Sequence, residues 1–456
     1  MSSLPKENKY EMDMCTGPLL PKLVSFTVPL LLASVLQLMF NAVDVIVVGK
    51  FSGDQALAAV GSTTALINLI INLMTGISLG VNVIGGRLYA LKDNKALGEL
   101  VHTSISFSFL GGLALVVLGL LLSGPALTLM GTPDGVYEMA VLYIRVYFLG
   151  MPFFMVYTYG AAILRSVGDT KRPLIYLLIA GVINAGLNLV LVIVFHMGVL
   201  GVAIATVVSQ VISCVLVLKC LCKTESSYKL HFSQLKIHKK YLGPLFRIGL
   251  PAGLQSLVIN FSNVLLQSSV NSLGDIAMAG YTAAHTIIGF LYVSANSFTQ
   301  TCMSFMSQNY GVKNKKRMDK VLLDCTLLSA GTMFVMGTAV YIFGEGILKM
   351  YTDSAEVIQC GMQVFMYTTT TYFIFALMDL LPGALRAWGY SIVPMIMSVV
   401  GTVGARVFWI YCVFPFHRTL DFLFISYPLS WVVTLVMQAF YLYYVRKKVY
   451  RNLLEG

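Results

Sequence analysis

The chain has 456 residues, of which 57% are hydrophobic and only 11% are charged, and its net charge is +11. A typical soluble domain carries about 25% charged residues, and a soluble chain of this length could not hide so much apolar surface from water. The composition therefore excludes a cytosolic enzyme, a secreted disulfide scaffold and a disordered chain, and it predicts a polytopic membrane protein.

Long uncharged stretches recur along the whole chain and predict twelve transmembrane helices. Runs of about 18 or more apolar residues are typical of helices that span a bilayer. The centres of these stretches lie near residues 35, 70, 111, 150, 184, 209, 258, 292, 333, 371, 402 and 434. The stretch from Pro173 to Leu218 breaks at His196-Met197-Gly198 into two helices. The predicted fold class is all-α, since a membrane barrel would show short alternating strands.

The basic residues indicate how the chain is oriented. With both termini in the cytoplasm, 26 of the 31 Lys and Arg residues fall in cytoplasmic segments. This is the positive-inside pattern of a multi-pass protein of the cell membrane. The basic excess is spread over loops that face anionic lipid, so it predicts no nucleic-acid partner. Catalytic motifs such as HExxH and GxSxG do not occur, and we expect neither an enzyme nor a cofactor.

The two halves of the chain resemble each other at an offset of 221 residues. The run Leu164-Arg165-x-x-Gly168-x-x-x-x-Pro173 matches Leu385-Arg386-x-x-Gly389-x-x-x-x-Pro394, and Gly53-Asp54 matches Gly274-Asp275. Ungapped agreement over this length indicates a duplication. Each half holds six helices, so both copies have the same orientation. They are predicted to form two parallel six-helix bundles, related by a pseudo-two-fold axis along the membrane normal.

The duplication also predicts the domain organisation. The N-terminal bundle spans residues 1–222, a cytoplasmic linker loop spans 223–240, and the C-terminal bundle spans 241–456. Two parallel bundles joined by a polar loop form a cleft, an architecture that suits alternating-access transport. The alternative is a duplicated scaffold without transport function. We expect a monomer in the lipid bilayer.

Few charged side chains lie within the predicted helices. They are Asp44, Arg145, Asp379 and Arg406. Each is a candidate functional residue, because a charge in the hydrocarbon region is costly. At the rise of an α-helix, Asp44 lies roughly 9 Å and Arg145 roughly 12 Å from the outer surface.

Asn184, Asn188 and Thr206 are predicted to share a layer with Asp44. Asn188 and Thr206 lie roughly 12–15 Å from the turn at His196, and Asn184 lies one turn deeper on the same helix face as Asn188. A carboxylate with neutral oxygens is what a sodium or proton site requires. Asp44 can also take up a proton, because a low dielectric disfavours an ionised carboxyl group. The alternative is that Asp44 pairs with Arg145 and only holds helices together.

The second half offers a different set of candidates. Asp379 is predicted near the inner end of its helix and Arg406 in the middle or outer part of the next one, so a direct pair is not expected. Arg406 needs either a partner or contact with water. Tyr367 and Tyr372 are candidates to line a cavity for flat apolar cations, although helical spacing is also typical of simple packing.

Three motifs carry a family resemblance. They are Pro29 followed by Asn41-Ala-Val-Asp44, the run Leu-Arg-Ser-Val-Gly-Asp-Thr-Lys-Arg-Pro at 164–173, and Gly198-Val-Leu-Gly-Val-Ala-Ile-Ala-Thr206. With them the chain resembles the multidrug and toxic compound extrusion (MATE) family from about Leu19 to Tyr444, and the prokaryotic DinF-like branch most of all. The resemblance implies efflux of small organic cations in exchange for inward protons or sodium, through a V-shaped pair of six-helix bundles.

The resemblance also assigns residues. It places the family's helix 1 aspartate at Asp44, its helix 5 asparagine at Asn184 and its helix 6 threonine at Thr206. Where the related branch has a second carboxylate on helix 5, this chain has Asn188, which is expected to weaken a sodium site and removes a proton carrier. Another branch uses acidic residues on helices 7 and 10. Here helix 7 has no acidic residue, and Asp379 lies about one turn away from the position expected for the helix 10 aspartate. A second ion site is therefore not expected.

The remaining assignments concern the substrate. Asn41 and Arg145 in the first bundle, and Asp379, Arg406 and the two tyrosines in the second, are the candidates for the substrate cavity or its charge partners. The alternative function is a lipid-linked oligosaccharide flippase of the same superfamily. Such a protein should have a more basic central cavity, and here only two arginines lie within the predicted helices.

Overall fold

A computed structural model describes residues 10–455, and every regular element in that range is helical. Among the described residues ten helices are long and apolar enough to cross a membrane, and two bent helix pairs bring the number of spans to twelve when each pair is one span. Large apolar side chains are exposed along them, among them Leu121, Phe343 and Phe440, as on a surface that faces lipid. The predicted all-α multi-pass fold is confirmed.

The first six spans extend from Leu19 to Lys223. They are α1 (Leu19–Ser52), α2 (Asp54–Ala90), α3 (Asn94–Leu129), the pair α4 (Asp134–Leu149) and α5 (Met151–Ser166), α6 (Lys171–Leu189), and α7 (Gly198–Lys223). A π-helical turn, Val190–Val194, extends α6. The chain then reverses at His196, whose φ of 53° is left-handed, at the predicted break.

The last six spans have a less regular eleventh member. They are α8 (Lys239–Asn271), α9 (Asp275–Gly311), α10 (Lys315–Leu348), the pair α11 (Ala355–Thr368) and α12 (Tyr372–Ala387), the span formed by α13 (Ile392–Ser398) and α14 (Ala405–Phe408), and the span formed by α15 (Leu420–Phe424) and α16 (Ser426–Glu455). Two π-helical turns, Val399–Gly404 and Trp409–Val413, lie on either side of α14. Short 3-10 turns occur at Phe232–Gln234 and Phe414–Phe416.

The backbone repeats its unusual conformations at the offset seen in the sequence. Left-handed φ angles recur 221 residues apart at Gly53 and Gly274, Lys92 and Lys313, and Gly168 and Gly389. The fourth span of each half is also bent, by 47° between α4 and α5 and by 49° between α11 and α12. Glycine is favoured at a positive φ because it has no Cβ to clash. The duplication therefore extends from the residues to the local geometry.

The chain divides into two compact units with boundaries inside helices. Unit 1 contains residues 10–13 and 28–249, and unit 2 contains 14–27 and 250–455. The start of α1 thus groups with unit 2, where Phe26 packs edge-on against Phe305 at 5.6 Å. Residues 223–249 group with unit 1, where Leu245 packs against Gly80. The predicted boundaries at 222 and 240 instead follow the helix ends.

The segment predicted as a linker packs onto unit 1. Within it Tyr228 is fully buried and Leu230 is nearly so. Tyr228 donates a hydrogen bond of 2.9 Å to Glu11, which also accepts hydrogen bonds from Tyr89 at 2.9 Å and from Ser226 at 2.5 Å. Burial raises the pKa of Tyr228 above its ordinary value, the hydrogen bond with the Thr224 side chain opposes this shift, and the charge of Glu11 adds to it.

A glycine contact sets the spacing of α1 and α6. A Cβ on Gly181 would lie only 1.8 Å from the ring of Phe40, so the ring occupies the space of the missing side chain. Small residues at helix interfaces allow this close approach inside a membrane. The contact lies one turn from both Asp44 and Asn184, and it therefore positions the polar residues described next.

Candidate functional site

Asp44 and Asn188 form the central contact of unit 1. The Asn188 side-chain Nδ2 donates a hydrogen bond to the Asp44 carboxylate and thereby joins α6 to α1. Asn188 is fully buried, whereas Asp44 retains partial exposure. A partly exposed carboxylate with a buried neutral partner can exchange a proton or a small cation with water.

Asn184 extends this cluster along α6. It lies four residues before Asn188, and positions four apart lie on the same helix face. The same Asn188 Nδ2 donates to Asn184 Oδ1 at 3.3 Å. The Asn188 Oδ1 atom is buried and accepts no hydrogen bond from residues 10–455. A buried unpaired acceptor is costly, by about 1–3 kcal/mol, and a bound cation or proton would satisfy it.

The ligand set for a cation here is limited. Within residues 10–455 no three His, Cys, Asp or Glu side chains come together. A cation at Asp44 would therefore have one carboxylate as its charged ligand and the Asn184 oxygen beside it, and the Asn188 amide, which turns its Nδ2 towards Asp44, would have to rotate to offer its own oxygen. Oxygen ligands fit a hard cation such as sodium, or the carboxyl group can hold a proton. A π-helical turn begins two residues after Asn188, and such turns are frequent at functional sites.

Thr206 is not brought into hydrogen-bond contact with the cluster. Its Oγ1 donates to the Val202 carbonyl at 3.0 Å within α7. Arg145 is exposed, and its Nε donates to Ser123 at 3.1 Å. The alternative in which Asp44 pairs with Arg145 is wrong for this structure, because the carboxylate accepts from an amide and the arginine bonds to α3. Asn41, one turn before Asp44, is exposed.

Two tyrosines near Asp44 were missed by sequence reasoning. Tyr143 and Tyr147 of α4 lie within electrostatic range of the Asp44 carboxylate, and their ring centroids are 6.1 Å apart. Their i, i+4 spacing on one helix face was the available signal. Aromatic faces beside a carboxylate are suited to an organic cation.

In unit 2, Asp379 and Arg406 have separate partners, as the sequence indicated. Asp379 accepts a hydrogen bond of 2.7 Å from Thr299 of α9. Arg406 donates to Asn263 Oδ1 at 2.9 Å and to Ser430 Oγ at 3.3 Å. Its guanidinium carbon lies 4.3 Å from the centre of the Tyr427 ring. The partner that Arg406 was expected to need is therefore neutral.

The tyrosines of unit 2 differ in their surroundings. Tyr372 is buried, with its ring centroid 4.9 Å from that of Phe375 and 5.6 Å from that of Trp431. Tyr367 lies on α11 and retains partial exposure. A second polar network, absent from the sequence prediction, joins Arg386 to Gln255 at 2.6 Å and Gln255 to Ser398 at 3.0 Å.

Comparisons with known proteins agree on one family. The MatE family model matches residues 29–190 and 251–411, one match in each repeat. The "Probable multidrug resistance protein YoeA" of Bacillus subtilis is 29% identical over 93% of both chains. The "Multidrug export protein MepA" of Staphylococcus aureus is 22% identical over 84% of this chain and 85% of its own.

A solved structure has the same fold. It is described as the outward-facing conformation of a multidrug resistance MATE family transporter of the MOP superfamily. It superposes with a TM-score of 0.90 over 98% of this chain and 100% of its own, at 19% identity. At that identity the likeness supports the fold and leaves the function to the residues.

Proposed function

We propose that this chain, which belongs to the MatE family of multidrug and toxic compound extrusion transporters, is an antiporter that exports organic cations in exchange for protons or sodium. The relatives named above are multidrug resistance and export proteins. The observation that carries the proposal is the contact between the Asp44 carboxylate and the buried Asn188 amide. It offers an ion a single charged ligand with a neutral amide beside it.

The proposed mechanism begins with Asp44 exposed to external ion. A proton or sodium ion neutralises the carboxylate, and Asn188 loses a charged acceptor. The contact between α1 and α6 then weakens. Pro29 lies inside α1, and proline removes a backbone hydrogen bond from a helix interior, so α1 can bend there and expel the bound drug. Ion and substrate then oppose each other, and this coupling is reciprocal.

The same proposal includes the location, the oligomeric state and the cofactor requirement of the protein. The chain is a multi-pass protein of the cytoplasmic membrane with both termini inside, and it works as a monomer. It needs no cofactor beyond the coupling ion, binds no nucleic acid and catalyses no covalent chemistry. The flippase alternative has less support, because the relatives named above are multidrug resistance and export proteins.

The test is ion-driven efflux from proteoliposomes loaded with ethidium. A proton gradient and a sodium gradient are imposed separately on the wild type, Asp44→Asn and the control Asp54→Asn, which changes an exposed aspartate in the first turn of α2. We expect efflux to follow one gradient, to be lost in Asp44→Asn and to persist in the control. Full ion-driven export by Asp44→Asn, or no response of the intact protein to either gradient, contradicts the proposal.

A further inference from the structure

One face of α16 is exposed from Leu429 to Arg451. Side chains three or four positions apart lie on the same face of a helix. Exposed apolar and aromatic residues of α16 follow that spacing, among them Leu429, Val433, Val436, Phe440, Tyr443 and Tyr444. The same spacing continues to three exposed cations, Lys447, Lys448 and Arg451. The helix therefore presents a single outer face that is apolar at one end and basic at the other.

The dimensions of this face match one leaflet of a bilayer. Leu429 and Phe440 are separated by about 17 Å at the rise of an α-helix, and half of the hydrocarbon core of a bilayer is about 15 Å thick. Tyr443 and Tyr444, which are 68% and 62% exposed, come next, and tyrosines are enriched where the hydrocarbon region meets water.

The cations begin at the depth of the lipid headgroups. Lys447 lies about 6 Å beyond Tyr443 along the helix axis, and the polar region on each side of a bilayer is about 5–7 Å thick. Along α16 the surface thus changes from apolar to aromatic to cationic in the order in which a phospholipid changes from acyl chain to glycerol to phosphate.

The three cations have no carboxylate partner on the protein. The neighbouring Arg446 donates from Nε and Nη2 to Asp319 of α10 at 2.9 and 2.8 Å. None of the four ion pairs found among the described residues includes Lys447, Lys448 or Arg451. Like charges four positions apart, as in Lys447 and Arg451, destabilise a helix. An anion bound to this face relieves that repulsion.

The duplicated halves show that the basic face is specific to unit 2. In unit 1 the equivalent helix α7 ends at Lys223. The positions that correspond to the three cations at an offset of 221 are Ser226, Ser227 and Leu230. There the chain has left the helix, and Leu230 is nearly buried. The cations of α16 are therefore more than the general excess of basic residues at the ends of the spans.

We propose that this face of α16 binds a phospholipid with an anionic headgroup. The acyl chains lie along the side chains from Leu429 to Phe440, and the tyrosines contact the glycerol region. The lipid phosphate accepts hydrogen bonds from Lys447, Lys448 and Arg451. A headgroup without net negative charge leaves the cations unneutralised and binds less tightly. The site lies on the outer surface of a single helix, so the inference does not rest on the proposed antiport.

Native mass spectrometry of the purified full chain tests the inference. The chain is equilibrated in an uncharged detergent with equimolar dioleoylphosphatidylglycerol and dioleoylphosphatidylcholine. These probes have the same acyl chains, so a difference in binding reports the charge of the headgroup. We expect the first bound lipid to be phosphatidylglycerol at least tenfold more often than phosphatidylcholine. Equal binding of the two lipids by the wild type overturns the inference.

Two variants locate the preference. Lys447→Gln, Lys448→Gln and Arg451→Gln together should reduce it to less than twofold. All three side chains are exposed and glutamine is a good helix former, so α16 should persist, and an unchanged melting temperature checks this. The matched control replaces three exposed lysines at the start of α10, Lys313, Lys316 and Lys320, by glutamine. The control should keep the preference, and an equal loss in both variants overturns the site on α16.

A soluble anion separates a lipid site from a site for free phosphate esters. Glycerol 1-phosphate carries the charged group of the lipid without acyl chains. Added in large excess, it should leave phosphatidylglycerol bound, because the apolar part of the face contributes to binding. Displacement of the lipid by glycerol 1-phosphate would show that the cations bind any phosphate ester, and it would overturn the assignment to a phospholipid.

Discussion

Asn188 donates its side-chain amide to Asp44, so the charged residue of α1 is held by a neutral residue of α6. An ion that binds Asp44 therefore displaces an amide and not another charge. Breaking an ion pair inside a membrane would leave a second buried charge unpaired, at a cost of several kcal/mol. Because its partner Asn188 is neutral, the Asp44 carboxylate stays available to bind an ion.

Restoring a second carboxylate should make the site more selective for sodium. In Asn188→Asp two negative charges would lie beside each other, and bound sodium would relieve their repulsion. Ligand binding stabilises the folded state and raises the melting temperature. We expect Asn188→Asp to reach the same rise in melting temperature at a sodium concentration at least tenfold lower than the wild type needs. Asn188→Ala serves as the control and should lose sodium stabilisation. An unchanged sodium dependence in Asn188→Asp would rule out sodium as the ion at this position.

Asn184 should matter more than Thr206. Asn184 accepts from Asn188, whereas Thr206 bonds to the backbone of its own helix. A neutral hydrogen bond contributes about 1 kcal/mol, so Asn184→Ala should slow ion-driven ethidium efflux about fivefold. Thr206→Val should have a smaller effect. The measurement is the initial efflux rate at equal protein content, and the reverse order would assign the ligand role to Thr206.

Gly181 should not tolerate a side chain. Its Cβ would lie 1.8 Å from the Phe40 ring, and overpacking a close contact costs about 1–3 kcal/mol. We expect Gly181→Val to lower the melting temperature in detergent and to impair efflux, because α1 moves relative to α6. Gly186→Ala on the same helix meets no atom within 4 Å and is the matched control. Equal melting temperatures for Gly181→Val and the wild type would show that the ring can move aside.

Glu11 should stabilise unit 1 from the N-terminal segment. It accepts hydrogen bonds from Tyr89, Ser226 and Tyr228, and hydrogen bonds to charged groups contribute about 1.5–3 kcal/mol each. We expect Glu11→Gln to lower the melting temperature, with Glu225→Gln, a neighbouring exposed carboxylate, as the control. Protease cleavage near residue 11 should also accelerate. A variant as stable as the wild type would mean that water replaces these contacts.

Tyr228 should make stability fall at alkaline pH. Burial raises its pKa above that of an unfolded tyrosine, so the folded chain keeps the hydroxyl neutral while the unfolded chain ionises above about pH 10. A group with a raised folded pKa contributes stability that is present below the unfolded pKa and lost as the pH rises. Melting temperatures between pH 8 and 11 should fall more steeply in the wild type than in Tyr228→Phe. Parallel curves would contradict this assignment.

Some features were open to prediction and others were not. The spans follow from hydropathy alone, and the pairing of Asn184 with Asn188 follows from their i, i+4 spacing. The partner of Arg406 did not follow, because Asn263 lies 143 residues away and contacts it only through the packing of three helices. The unit boundaries inside α1 and α8 likewise could not be predicted. They depend on which helices the first turns of α1 and α8 contact, and hydropathy carries no information about such contacts.

The bend in the fourth span has a historical consequence. It occurs in both halves, yet the residue at the break is Gly150 in one and Thr371, at the equivalent position, in the other. The two halves have different residues at this position but nearly the same bend. The bend therefore predates the divergence of the two halves, and it was present in a six-helix ancestor. Duplication of its gene would leave each copy free to change alone, and the equivalent positions Ala185 and Arg406 differ in this way.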